Sequence, residues 1–197
     1  PEHQTTPEST IVQEKLYQMV QNGCEFAVVE SSSHGLSKRT NRLGDVDFDV
    51  GVMMNVTSEH LEFHGTYEQY RDDKANLFEN LNLFGVVNGD DKASSLFASK
   101  TEKPVYSFIK DKTSCKEIFT ENYFMTDIKS DAKGEDFSLE VINQCDIKKL
   151  EDFRIDLPGT FNVYNSTAAA IVVSKLLNIT LEELKPALKA LTPVKGR

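Results

Sequence analysis

The sequence predicts an α/β fold, a mostly parallel sheet flanked by helices with a small antiparallel β portion, and three observations carry that expectation. Short apolar runs of strand length alternate with segments of helical periodicity in the N-terminal part of the chain. Those runs end abruptly in polar residues, as buried parallel strands do where they reach a ligand crevice. From Glu121 onward the texture changes to apolar stretches separated by turn signals, the pattern of antiparallel strands.

In chain order, Thr6-Pro7 reads as an N-cap followed by proline at the first helical position. Val12, Leu16, Met19 and Val20 then recur at helical spacing until Gly23 stops the helix. Residues 25–30 (EFAVVE) read as a buried strand with Glu30 at its C-terminal end, followed by three serines. Residues 48–56 repeat the pattern, with Asn55-Val56-Thr57-Ser58-Glu59-His60 at the exit. Thr66 and Gln69 read as a capping box that opens a helix to about Leu81. Residues 84–88 form a third strand, closed by Gly89-Asp90-Asp91. Residues 123–128, a turn at 131–134, residues 137–142 and residues 153–157 read as antiparallel strands, a β subdomain or a sheet edge. Pro158-Gly159 ends that region, residues 162–177 are helical, and Thr180 with Glu183 caps a last helix through Leu191.

Composition narrows the classes of function. A chain of 197 residues has room for one substantial domain, and no apolar run approaches the length of a membrane span. The start, PEHQTTPEST, has neither the basic nor the apolar part of a secretory signal, so a cytoplasmic address is expected. Cys24, Cys115 and Cys145 are odd in number and widely spaced, which suits reduced thiols rather than a disulfide framework. A net charge of -9 would repel a phosphate backbone, so nucleic acid is not an expected partner. Anionic small molecules remain open, because backbone amides, metal ions and single arginines can hold phosphates.

Several residues could carry chemistry. Lys74 lies on the apolar stripe of its helix, one turn from both Tyr70 and Phe78. Its stem can pack while the ammonium reaches solvent; alternatively, the neutral amine can take up carbon dioxide and become a carbamate, an oxygen ligand for a metal. His60 and His64 sit four apart, a spacing that invites zinc, but Leu61 occupies the place of a zincin's general base. His60 also reads as a surface or capping histidine, and Glu30 as an ordinary strand-end carboxylate. Ser31-Ser32-Ser33-His34 raises a serine nucleophile, yet the glycines of a nucleophile elbow are missing, so a ligand-binding loop fits better.

The ordered set TTP (5–7), ESSSHGL (30–36), NVTSEHLEFHG (55–65), YRDDKANLF (70–78), NGDD (88–91), LPGTFNVYN (157–165) and the closing Gly196-Arg197 resembles the MurE branch of the Mur ligase family. That resemblance implies a P-loop NTPase-like central domain across residues 1–197, and an ATP-dependent synthesis in which the substrate's terminal carboxylate attacks the γ-phosphate. An amino acid's amine then attacks the acyl phosphate, adding the third residue to UDP-MurNAc-L-Ala-D-Glu, the UDP-MurNAc-dipeptide. It implies Mg2+ at two sites, one near Glu30 and the ATP phosphates, the other held by His60 and carbamylated Lys74. It further implies that Thr5, Thr6, Ser32 and Arg42 contact the nucleotide-sugar, with Arg39 competing for the role of Arg42. Asn162, Asn165 and Arg197 fall where the family surrounds the adenine and ribose of ATP.

The glycine-rich loop G-x-x-x-x-G-K-[ST], which the family places upstream of TTP, does not occur in the chain. A domain truncated at its N-terminus, without the C-terminal amino-acid-binding domain, is therefore expected, monomeric and inactive by itself. Three other readings stand beside it: another Mur-type ligase such as MurF or a folylpolyglutamate synthase relative, a nucleotide-sugar binding module without catalysis, and a metallohydrolase built on His60 and His64.

Overall fold

The structure, a computed structural model, describes residues 6–57, 61–143 and 146–193. One six-stranded sheet runs in the order β1 (Val50–Met53), β2 (Phe84–Asn88), β3 (Val105–Ile109), β4 (Glu121–Ser130), β5 (Glu135–Ile142), β6 (Ile147–Ile155). The first four strands pair in parallel, and β4, β5 and β6 pair antiparallel, so the α/β class with its antiparallel portion is as the sequence predicts.

Helices cover both faces. α6 (Thr160–Leu177) and α7 (Leu181–Lys189) share a core with Val86, Phe108 and Phe153, and α4 (Tyr67–Ala75) and α5 (Ser94–Ser99) share the other with Val87 and Phe97. Val86 and Val87 are both fully buried, because neighbouring strand residues point to opposite faces. A strand covered on both faces needs apolar residues without alternation, which is why 84–88 was legible as a continuous run. Gly85 admits the ring of Phe78 against the sheet: a Cβ there would stand 2.4 Å from its Cε1.

The N-terminal part departs from expectation. Residues 25–30 join no ladder, and Phe26 and Val28 are 58% and 97% exposed. An apolar run becomes a strand only when a neighbour satisfies its amides and carbonyls, and β1 has no second strand beside it among the described residues. β1 itself is shorter than the predicted 48–56. α1 (Ser9–Gln21) is capped by Glu8 rather than Thr6; of its expected stripe only Val12 is buried, and Met19 and Val20 face outward.

Elsewhere the differences are local. The helix begun by Thr66 ends at Ala75 and passes into a 3-10 turn, Asn76–Phe78. Thr66 Oγ1 accepts from the Gln69 amide, but the Gln69 side chain donates to Asp73 instead of returning to Thr66. β3 and α5 are elements beyond those that the sequence predicts. β6 begins at Ile147 rather than at residue 153, because its first half pairs with β5 even though it is mostly charged and exposed and carries no apolar alternation. Asp127 and Asp152 take positive φ near the irregularities of β4 and β6, a conformation aspartate tolerates better than most residues. α7 opens with the full capping box of Thr180 and Glu183, and ends at Lys189.

Candidate active site

The C-terminal ends of the parallel strands meet at one side of the sheet, where the carboxylates after β2 tie the exits together. Asp91 accepts from the amides of Val56 (2.8 Å) and Ala93 (2.8 Å), fixing the segment that leaves β1. Asp90 accepts from the amides of Lys110 (2.7 Å) and Asp111 (3.2 Å) and from the Tyr164 hydroxyl (3.1 Å). The first turns of α6 are thereby anchored to the same end of the sheet. Burial, then the charge of Asp90 and its hydrogen bond, push the Tyr164 phenol up to about 12.

Beyond β1 lies a cavity of about 200 Å³ whose wall includes Ser31, Asn55, Lys74, Leu77 and Phe97. Lys74 is half-buried, as its place on the stripe implies, with Nζ 5.2 Å from the centroid of the Tyr70 ring. Among the described residues no carboxylate stands within ion-pair distance of that amine. The residue following Glu30 and the residue opening the 55–65 segment thus share a wall with Lys74. Glu30 itself is exposed.

A second cluster forms behind Glu30. Thr6 Oγ1 donates to the Glu30 carbonyl (3.2 Å) and accepts from the Ser32 amide (3.0 Å). Arg42 donates from Nη1 to the Thr6 carbonyl (3.1 Å) and pairs through Nη2 with Glu8 (2.9 Å). Its Nε is buried with no hydrogen-bond partner among the described residues. Arg39 is occupied elsewhere, donating to the Phe63 carbonyl (2.9 Å) with its guanidinium 4.4 Å from the Phe63 ring centroid. Ser32 caps α2 (Ser33–Leu36), its Oγ accepting from the Gly35 amide.

His64, at the end of α3 (Leu61–His64), is buried, and both its ring nitrogens are engaged, Nδ1 by Asp73 (2.8 Å) and Nε2 by Ser33 (3.0 Å). No imidazole nitrogen of His64 is left for zinc, and the described residues contain no group of three metal-ligating side chains. Ser33 meets His64 rather than the adjacent His34, whose ring packs on Phe63 at 4.0 Å. Asn162 donates to the Pro158 carbonyl, and Asn165 is exposed one turn further along α6. Thr5, His60 and Arg197 lie outside the described residues. Asp73, Asp90, Asp91 and Tyr164 had no assigned role in the sequence, although the YRDDKANLF, NGDD and LPGTFNVYN segments contain all four.

A profile of the Mur ligase middle domain matches residues 1–173. The chain is 45% identical to the UDP-N-acetylmuramyl-tripeptide synthetase of Treponema denticola, over all of this chain and 38% of that protein. It is 38% identical to the protein of the same name from Treponema pallidum, over all of this chain and 41% of that one. The chain thus spans about two fifths of the length of these curated relatives. Among solved structures it is similar to a MurF ligase from Thermotoga maritima in complex with ADP, with a TM-score of 0.56 and 21% identity over 79% of this chain and 33% of that one. At that identity the likeness is one of fold. No helix among the described residues is long and apolar enough to cross a membrane.

Proposed function

The chain belongs to the Mur ligase family, and from that premise we propose that its full-length protein is an ATP-dependent amide ligase adding the third amino acid to UDP-MurNAc-L-Ala-D-Glu. The observation that carries this reading is the shared wall of Ser31, Asn55 and Lys74 beyond β1, with the Thr6, Ser32 and Arg42 cluster directly behind Glu30.

The chemistry asks two anions to meet. A carboxylate oxygen of the dipeptide bonds to the γ-phosphorus and ADP departs; the amino acid's nitrogen then bonds to the acyl carbon and inorganic phosphate leaves. Magnesium ions, when bound, neutralise the repulsion and the developing charge. Glu30, His60 and Lys74 as its carbamate are the residues we assign to hold them. The fit rests on Lys74: its amine borders a largely apolar cavity, with Ser31 and Asn55 as polar neighbours and no carboxylate neutralising it among the described residues, which leaves room for carbon dioxide to add and a proton to depart. Thr6, Ser32 and Arg42, with Thr5, are assigned to the nucleotide-sugar, and Arg42 is preferred over Arg39 because it bonds to Thr6 of this cluster whereas Arg39 bonds to Phe63. Asn162, Asn165 and Arg197 are assigned to the nucleotide, supported for the first two by their place on α6, which Tyr164 ties to the strand ends.

The test is turnover by the full-length protein with ATP, Mg2+, UDP-MurNAc-L-Ala-D-Glu and, in turn, lysine, ornithine and diaminopimelate. Phosphate release that needs both acceptor and one of these amino acids is expected, and Lys74→Ala should lower it on the order of a hundredfold or more. Turnover absent with every amino acid, or unchanged in Lys74→Ala, would overturn the proposal.

A further inference from the structure

Three polar side chains run through the interior between the loop after Glu30 and the helix that carries Lys74. Ser33 opens α2, His64 ends α3, and Asp73 directly precedes Lys74 in α4. Their exposures are 2%, 5% and 4%. Asp73 also accepts from Gln69 Nε2 at 3.1 Å. A carboxylate only accepts, so Nδ1 of His64 carries the proton it gives to Asp73, while Nε2 shares a hydrogen bond with the Ser33 hydroxyl.

These partners match those of a hydrolase triad, but a buried serine is not open to a substrate, and the arrangement does something else. Polar groups placed inside a core cost more than apolar ones would, and a fully satisfied chain of them selects one register among many. Ser33 is the neighbour of Ser32, and Asp73 of Lys74, so the chain connects the two sides of the crevice. Tyr70 adds a second link: its ring lies 5.3 Å from that of His64 and 5.2 Å from Lys74 Nζ.

We propose that Ser33, His64 and Asp73 are positioning residues that fix the Ser32 loop and the Lys74 helix in register across the crevice. What they position rests on the ligase reading above; the relay itself does not. Three variants of the full-length protein test it: Ser33→Ala, Asp73→Asn, and Thr180→Ala as a stability control at the start of α7. Two readouts are needed, amide hydrogen exchange and steady-state kinetics at a temperature where each variant is folded. For Ser33→Ala and Asp73→Asn, exchange in α2 and α4 should accelerate about tenfold or more, and kcat should fall about tenfold to a hundredfold, while KM for ATP stays within about twofold. Thr180→Ala should keep wild-type kcat. Unchanged exchange in α2 and α4, or a kcat equal to that of the control, would overturn the relay. If the wild-type protein shows no turnover, the functional reading fails and exchange alone decides: faster exchange upholds the relay, unchanged exchange removes it.

Discussion

Asp90 and Asp91 stand side by side after β2 and divide between them the shaping of the strand exits. Asp91→Ala removes the acceptor of two backbone amides, and a loss of about 1–3 kcal/mol is expected from urea denaturation, the cost of buried donors left unmade. Asp90 acts on Tyr164. The raised phenol means that this residue's contribution to stability is complete below pH 10 and is lost as pH rises toward 12. In Asp90→Asn the phenolate absorbance should titrate below 12, and an unmoved midpoint would assign the whole shift to burial. At Gly85 an added methyl meets the Phe78 ring, so Gly85→Ala should cost about 1–3 kcal/mol in the same denaturation experiment. Lys74 was legible in the sequence because a charged residue interrupts a 3.6-residue stripe. Asp73 was not: beside Asp72 it reads as solvated face, and its partner Ser33 reaches it only through His64, across 31 residues of chain.

Elements were legible where their signal is local. The capping box of α7 needs only Thr180 and Glu183, and Thr180→Ala should destabilise by about 1 kcal/mol in thermal unfolding. The box at Thr66 was half right: the Gln69 backbone amide donates to Thr66, but the Gln69 side chain turns to Asp73. Residues 25–30 have the composition of a strand, but strand formation depends on a ladder that no local signal encodes. In the antiparallel portion Arg154 joins Asp131, Asp136 and Asp156. Its hydrogen bond, with the amide of Lys133, holds the Asp131 carboxyl down to about 2. That contribution is present above pH 3.8 and is lost as pH falls toward 2. Amide exchange in the 131–136 turn should therefore quicken between those values in the wild type and show no such step in Arg154→Ala.

For the molecule as a whole, the alternation of apolar runs and helical stripes was sufficient to predict a mostly parallel sheet covered by helices, because that architecture follows from burying both faces. The location of the cavity was not, since it depends on how α2 and α4 pack, and packing of short helices leaves no periodic trace. Without the G-x-x-x-x-G-K-[ST] loop the 197-residue chain alone should turn over no ATP, and measurable phosphate release by it would count against the domain assignment. The proposed cation site is read most directly by carbon NMR of the full-length protein equilibrated with isotope-labelled bicarbonate and Mg2+. One carbamate resonance should be present, should disappear in Lys74→Arg, and should broaden when Mn2+ replaces Mg2+. A spectrum without that resonance, or with one that survives Lys74→Arg or ignores Mn2+, would contradict the assignment of a metal to carbamylated Lys74.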